Sequence, residues 1–250
     1  MNISKLPRFI HRKIFGVQMA QLTYLEEKIY NEGERLIPGV THDIKEVIRH
    51  KSSYNFFHKV IEDDLNMVSN QSNENLISIA DLGCGVGHGC KTLSSLNKSS
   101  ITGVDFSQES LEYAEQHYAG KNISYKLAEL NKFIQEMPEY DYVVSRGVFE
   151  HVPNGIVAAN STNWRQRLLF DVPYDEPEDI NHHHLISSIR EEHFDEFTES
   201  ELFFQDLAGV IYDPKHKPKK PNMIICICSH PDLPKIKNRN ISFPVPAWKP

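Results

Sequence analysis

Cysteine is scarce in this chain: four in 250 residues, two beside a glycine loop (Cys84, Cys90) and two in an apolar strand (Cys226, Cys228). Neither pair has the C-x-x-C spacing of a zinc site, and there are too few for a disulfide framework. Long hydrophobic runs are missing as well; none approaches the roughly 20 residues that cross a bilayer, and no apolar stretch reads as a signal-peptide core. Nor is there an excess of positive charge. With 27 Lys and Arg against 34 Asp and Glu, the formal charge is −7, so general attraction to nucleic acid is not expected. Internal repeats and low-complexity tracts are absent too. These absences leave a cytoplasmic globular domain with appendages, acting on a small or locally guided substrate rather than on nucleic acid.

What the chain does have is the stretch Ile77 to Cys90, ISIADLGCGVGHGC. Ile77, Ile79, Ala80 and Leu82 suit a strand buried on both faces of a parallel sheet, and Gly83, Gly85, Gly87 and Gly89 allow a turn that a ligand approaches closely. The dinucleotide fingerprint needs a third glycine three positions after the second. Here that position falls on His88 or Cys90, so a nicotinamide dinucleotide is disfavoured. Asp81, just before the glycines, suits a ligand carrying an ammonium and a sulfonium. Eighteen residues after Gly87, a second strand ends in Asp105, placed like the acid that takes a ribose diol in such folds.

The ordered pair ADLGCGVGHG and GVDFS resembles the first two motifs of class I S-adenosylmethionine-dependent methyltransferases, and SRGVFEHVP resembles their fourth. The resemblance implies an α/β, Rossmann-like seven-stranded methyltransferase fold with an N-terminal helical cap. The divisions are 1–68 for the cap, 69–230 for the cofactor-binding domain and 231–250 for a proline-rich tail. It also implies S-adenosyl-L-methionine as cofactor, held by Asp81, Gly83, Gly85, Gly87, His88, Asp105, Phe106 and Ser145. Glu129 reads either as a partner of the adenine amino group or as a solvated loop acid. Arg49 and Tyr54, in IRHKSSYNFF, are similar to a segment before the first strand in glycan-associated members; Ser52 or Ser53 capping a helix is the competing reading.

Helical periodicity predicts a helix from Gln18 that Gly33 and Pro38 end, helices at about Ile44–His50 and Tyr54–Leu65, a linker over Ser69–Asn75, and a helix capped by Ser107. A further helix is expected over about Glu191–Leu207, followed by strands six and seven at Val210–Tyr212 and Met223–Cys228. Met1–Val17 mixes Lys5, Arg8, Arg12 and Lys13 with apolar residues. It reads as an amphipathic segment on a membrane or partner, or as a helix packed on its own domain or on a second copy in a homodimer.

Methyl transfer is an in-line displacement that needs positioning and, for a hydroxyl acceptor, removal of one proton. His151 and His184, after strands four and five, are the candidate bases; filling a helix start is the bland alternative for His151. The run His182 to His184 does not by its spacing demand a metal, and metal-independent turnover is expected. The family likeness points to a sugar or surface-glycan precursor as acceptor, including a phosphoramidate or phosphate modification. Another small-metabolite acceptor, a nicotinamide oxidoreductase and a non-catalytic cofactor-binding subunit are the competing functions.

Overall fold

In the computed structural model, residues 22–31, 33, 35–40, 43–68, 76–239 and 241–250 are described. The amphipathic stretch 1–17 and the linker Ser69–Asn75 lie outside them. The elements before the sheet are α1 (Tyr24–Asn31) and α2 (Ile44–Val68). β1 (Ile77–Leu82), α3 (His88–Leu93), β2 (Ser99–Asp105), α4 (Gln108–His117), β3 (Ile123–Leu127), α5 (Leu130–Glu136) and β4 (Tyr140–Arg146) follow in strict βα alternation. Then come a 3-10 turn at Phe149–His151, α6 (Gly155–Asn160), β5 (Trp164–Pro173), β6 (Ser200–Gln205), β7 (Ile211–Tyr212) and β8 (Met223–Ser229).

The strands form one sheet in the order β3-β2-β1-β4-β5-β8-β6-β7. β1 to β5 run parallel, and β8 lies antiparallel between β5 and β6. The order reverses between β1 and β4, so a crevice opens there at the carboxyl ends of the strands. The fold is the expected Rossmann-like methyltransferase architecture. It has an eighth strand because the two-residue β7 adds an edge to β6.

Three expectations are corrected. The helices at 44–50 and 54–65 are one continuous helix: Ser52 Oγ donates back to the Ile48 carbonyl at 2.7 Å and Ser53 Oγ donates to Asp171 at 2.6 Å. Neither serine caps a new helix, since both side chains find partners within or beside an unbroken one. The helix over 191–207 is instead a 3-10 turn at Glu191–Phe194 and the strand β6. Phe194 and Phe197 suggest helical spacing, but Phe203 and Phe204 bury into separate cores on opposite faces of the sheet, which only a strand allows. The sixth strand along the chain is this segment, and Ile211–Tyr212 is the seventh.

Two of the other readings hold. Ser107 caps α4 by accepting from Ser110 N, and Cys226 and Cys228 are buried on one face of β8. The tail docks on the body through buried Ile236 and Ile241, and Val245 bridges Ile211. Among the described residues no helix is long and apolar enough to cross a membrane.

Candidate active site

A cavity of about 380 Å³ sits at the crevice, between the loop after β1, the second and third turns of α2, the end of β2 and the turn after β4. It is built from the sequence upward. Gly83 adopts φ +70°, and a Cβ there would lie 2.4 Å from Val148 Cγ2, so the loop closes only because that position carries no side chain. At Gly89 the Tyr54 ring takes the place of a Cβ, at 2.1 Å, which seats α2 directly on the start of α3.

Of the cofactor residues expected from sequence, Gly83, Gly85, His88, Asp105, Phe106, Glu129 and Tyr54 line the cavity. Asp105 accepts from Gly85 N (2.9 Å), Ser107 N (2.9 Å) and Arg35 Nη1 (3.0 Å). The same guanidinium lies 4.8 Å from the centroid of the exposed Phe106 ring. Glu129 reaches the rim, and its carboxylate also caps α5, accepting from Asn131 N and Lys132 N at 3.0 and 2.8 Å.

Four expected positions are not on the wall. Asp81 lies fully buried beneath the loop, accepting from Tyr54 Oη at 3.0 Å and from Cys90 Sγ at 3.2 Å. Gly87 starts α3 with φ 86° behind the wall. Ser145 is buried and donates to the Leu82 carbonyl at 2.9 Å, tying β4 to β1. Arg49 pairs with Glu46 and donates to the Leu207 carbonyl; its helix neighbours His50 and Tyr54, one turn apart, reach the cavity instead.

Residues that the sequence did not single out also line it. Arg146 ends β4, is 8% exposed, and its Nη1 contacts His50 Nε2 at 2.6 Å. Burial, reinforced by Arg146, lowers the His50 pKa to about 4, so this imidazole is neutral and accepts. Arg35 comes from the turn after α1. Its one signal in sequence is a cation in a short glycine- and proline-bounded turn, which names no partner by itself.

His151 lies on the wall and His184 just behind it, their ring centroids 4.7 Å apart. His151 Nδ1 faces the His183 carbonyl at 3.1 Å. A carbonyl only accepts, so Nδ1 carries the proton and Nε2 is the basic nitrogen. His184 Nδ1 pairs with the Glu176 carboxylate, and Asn181 Nδ2 sits 3.0 Å from its Nε2. The histidine loop is fastened by Leu185 N and Ile186 N, which donate to the Glu150 carbonyl at 2.7 and 3.2 Å. Two residues after different strands are thereby brought to one rim.

Residues 79–168 match the family model of the methyltransferase domain. Over this stretch, about a third of the chain, the sequence is that of a methyltransferase domain. It is similar to the ubiquinone biosynthesis O-methyltransferase of Bartonella tribocorum, at 30% identity over 88 residues, 34% of this chain and 35% of that protein. Similarity to the malonyl-[acyl-carrier protein] O-methyltransferase of Bacillus cereus is 33% over 79 residues, 31% of this chain and 29% of that one. The matched stretch therefore spans about a third of each curated relative. In fold, the methyltransferase domain and its flanking elements are similar to a crystal structure of WbdD, with TM-score 0.54 and 18% identity over 82% of this chain and 47% of that one. Another WbdD structure, described as a bifunctional kinase-methyltransferase, gives 0.53 and 16% over 82% and 46%.

Asp105→Ala should weaken binding of S-adenosylhomocysteine at least tenfold, because hydrogen bonds to a charged group contribute about 1.5 to 3 kcal/mol. Calorimetry at one temperature and salt concentration reads this, and an unchanged affinity would mean that the ribose lies elsewhere. A second expectation concerns pH. Burial pushes Asp81 up to about 7 from its ordinary 3.8, so the unfolded chain gives up this proton at lower pH than the folded one. The contribution is present at acid pH and lost as pH rises through about 7. The buried histidines His50 and His88, both lowered, act in the opposite sense only below their ordinary 6.5. From about pH 6.5 to 8 the unliganded protein should therefore melt at progressively lower temperature, with Glu150, which burial raises to about 8, acting in the same sense as Asp81, and Asp81→Asn should reduce that slope, most of all near pH 7. A slope identical in Asp81→Asn would count against the assignment.

Proposed function

We propose that the protein is an O-methyltransferase acting on a hydroxyl of a sugar or surface-glycan precursor. The observation that carries this reading is the His151 ring on the cavity wall, its Nδ1 proton committed to the His183 carbonyl and its Nε2 left as the basic nitrogen. In the proposed reaction, the acceptor's O–H bond breaks and its proton goes to His151 Nε2. The oxygen's electron pair forms the new bond to the methyl carbon, and the S–CH3 bond breaks with its pair on sulfur. A methyl ether and S-adenosylhomocysteine result. Asp105 would take the ribose diol, with Arg35 giving up its place on that carboxylate, and Phe106 would offer its exposed ring to the adenine.

The O-selectivity is supported by the two curated relatives, both named as O-methyltransferases. The glycan class is supported by the likeness of IRHKSSYNFF to the segment before the first strand in glycan-associated methyltransferases. The test is to incubate the purified chain with isotopically labelled S-adenosylmethionine and a panel of nucleotide sugars, sugar phosphates and non-sugar hydroxy metabolites. Label in a sugar is the expected result. Label confined to the non-sugar acceptors would refute the substrate class.

A further inference from the structure

Sequence reasoning expects turnover without a metal, yet three side chains at the cavity rim are arranged as a ligand set. Glu150, His151 and His184 each present one ligand atom, all within 4.8 Å of one another. Bonds of about 2.1 Å at tetrahedral angles put donor atoms about 3.4 Å apart, so small side-chain rotations bring the three onto one ion. Glu150 is the telling member. Its carboxyl is 2% exposed, and Oε2 has no hydrogen-bond partner among the described residues. A buried acid oxygen left so is costly unless something satisfies it.

The surroundings fit the same purpose. His151 Nδ1 is held by the His183 carbonyl and His184 Nδ1 by the Glu176 carboxylate, the outer contacts that fix ligating imidazoles with Nε2 as the donor. Asn181 Nδ2 now contacts His184 Nε2, a contact that an ion would take over. The backbone bonds from Leu185 and Ile186 to the Glu150 carbonyl hold the two halves of the set together.

We infer that Glu150, His151 and His184 form a binding site for a divalent transition-metal cation. Two imidazoles and one carboxylate suit manganese, iron, cobalt or zinc better than calcium or magnesium. The purpose rests on the methyl-transfer reading above: a divalent charge at this rim would lower the pKa of a hydroxyl beside it, so that with the ion bound His151 Nε2 is a ligand and solvent takes the proton that His151 takes when the ion is absent.

The test uses untagged full-length protein, stripped with chelator, dialysed and titrated with Mn2+ alone while the bound ion is counted by electron paramagnetic resonance. Wild type should bind one saturable equivalent. Glu150→Gln and His184→Ala should each weaken it at least about tenfold, and His182→Ala, in the exposed part of the run, should not. Lack of saturable binding by wild type, undiminished binding by Glu150→Gln, or a loss confined to His182→Ala would overturn the site. S-adenosylhomocysteine calorimetry on the same samples separates this from the function. Cofactor binding without Mn2+ binding removes the cation site and leaves the methyl-transfer reading in place. Mn2+ binding through Glu150 without cofactor binding upholds the site and removes that reading.

Discussion

His151→Ala is expected to lower kcat by a factor of about 10² to 10⁴, with S-adenosylhomocysteine affinity within severalfold of wild type. The loss follows from geometry: the ring lies on the cavity wall with its tautomer fixed by the His183 carbonyl, and among the described residues no other imidazole on that wall is held by a backbone carbonyl; the exposed His183 ring lies against His182 instead. His50 and His88 are buried neutral groups on the α2 and glycine-loop sides. His184→Ala should also slow turnover, since its ring packs edge-on against His151. Steady-state kinetics on the acceptor found by the labelling screen, with calorimetry for the cofactor, separates the two terms. A packing role for His151 predicts instead a lower melting temperature with kcat within severalfold, and that outcome would move the base elsewhere.

The largest effect on stability should come from Asp64→Ala, at about 3 to 5 kcal/mol, the range for removing one partner of a buried ion pair. Asp64, on α2, is fully enclosed and accepts from Arg167 Nε at 2.8 Å and Nη2 at 3.1 Å, from Tyr142 Oη at 3.3 Å, and from Arg239. Arg167 is wholly buried in β5. Its guanidinium also meets Ser229 on β8 and the Pro234 carbonyl, so one carboxylate joins the helical segment, the sheet centre and the tail. Without Asp64, two buried guanidinium groups face each other and only Asp63, paired with Arg239 at 3.1 Å, remains. Urea unfolding of wild type and variant gives the difference directly. A loss below about 1 kcal/mol would place this cluster with surface ion pairs.

The parts of the molecule read correctly from sequence are those where local chemistry and global fold agree. The loop after β1 is written in its glycines, and the acid at the end of β2 in its distance from them; both line the cavity. The Ser107 cap and the core position of Cys226 and Cys228 follow from local pattern alone. Elsewhere the deciding partner is far away in sequence. Ser52 and Ser53 look like a helix start until the Ile48 carbonyl and Asp171 are seen to take their hydroxyls. Leu202 and Phe203 look helical beside Phe194 and Phe197, and β8 makes them a strand. Asp81 has the composition of a ligand contact, but Tyr54 from α2 and Cys90 from α3 close over it. Arg146 and the Asp64 cluster carried no readable signal and Arg35 only that of its turn, because each depends on pairings across 70 or more residues.

The cavity beside Gly83, Gly85 and Asp105 is the proposed seat of S-adenosylmethionine. Calorimetric titration of the purified chain with S-adenosylhomocysteine, and separately with NADH, tests it most directly. One saturable site per chain is expected for S-adenosylhomocysteine, weakened at least tenfold by Asp105→Ala, with no comparable heat from NADH. Tight NADH binding, or no saturable binding of S-adenosylhomocysteine, would contradict it.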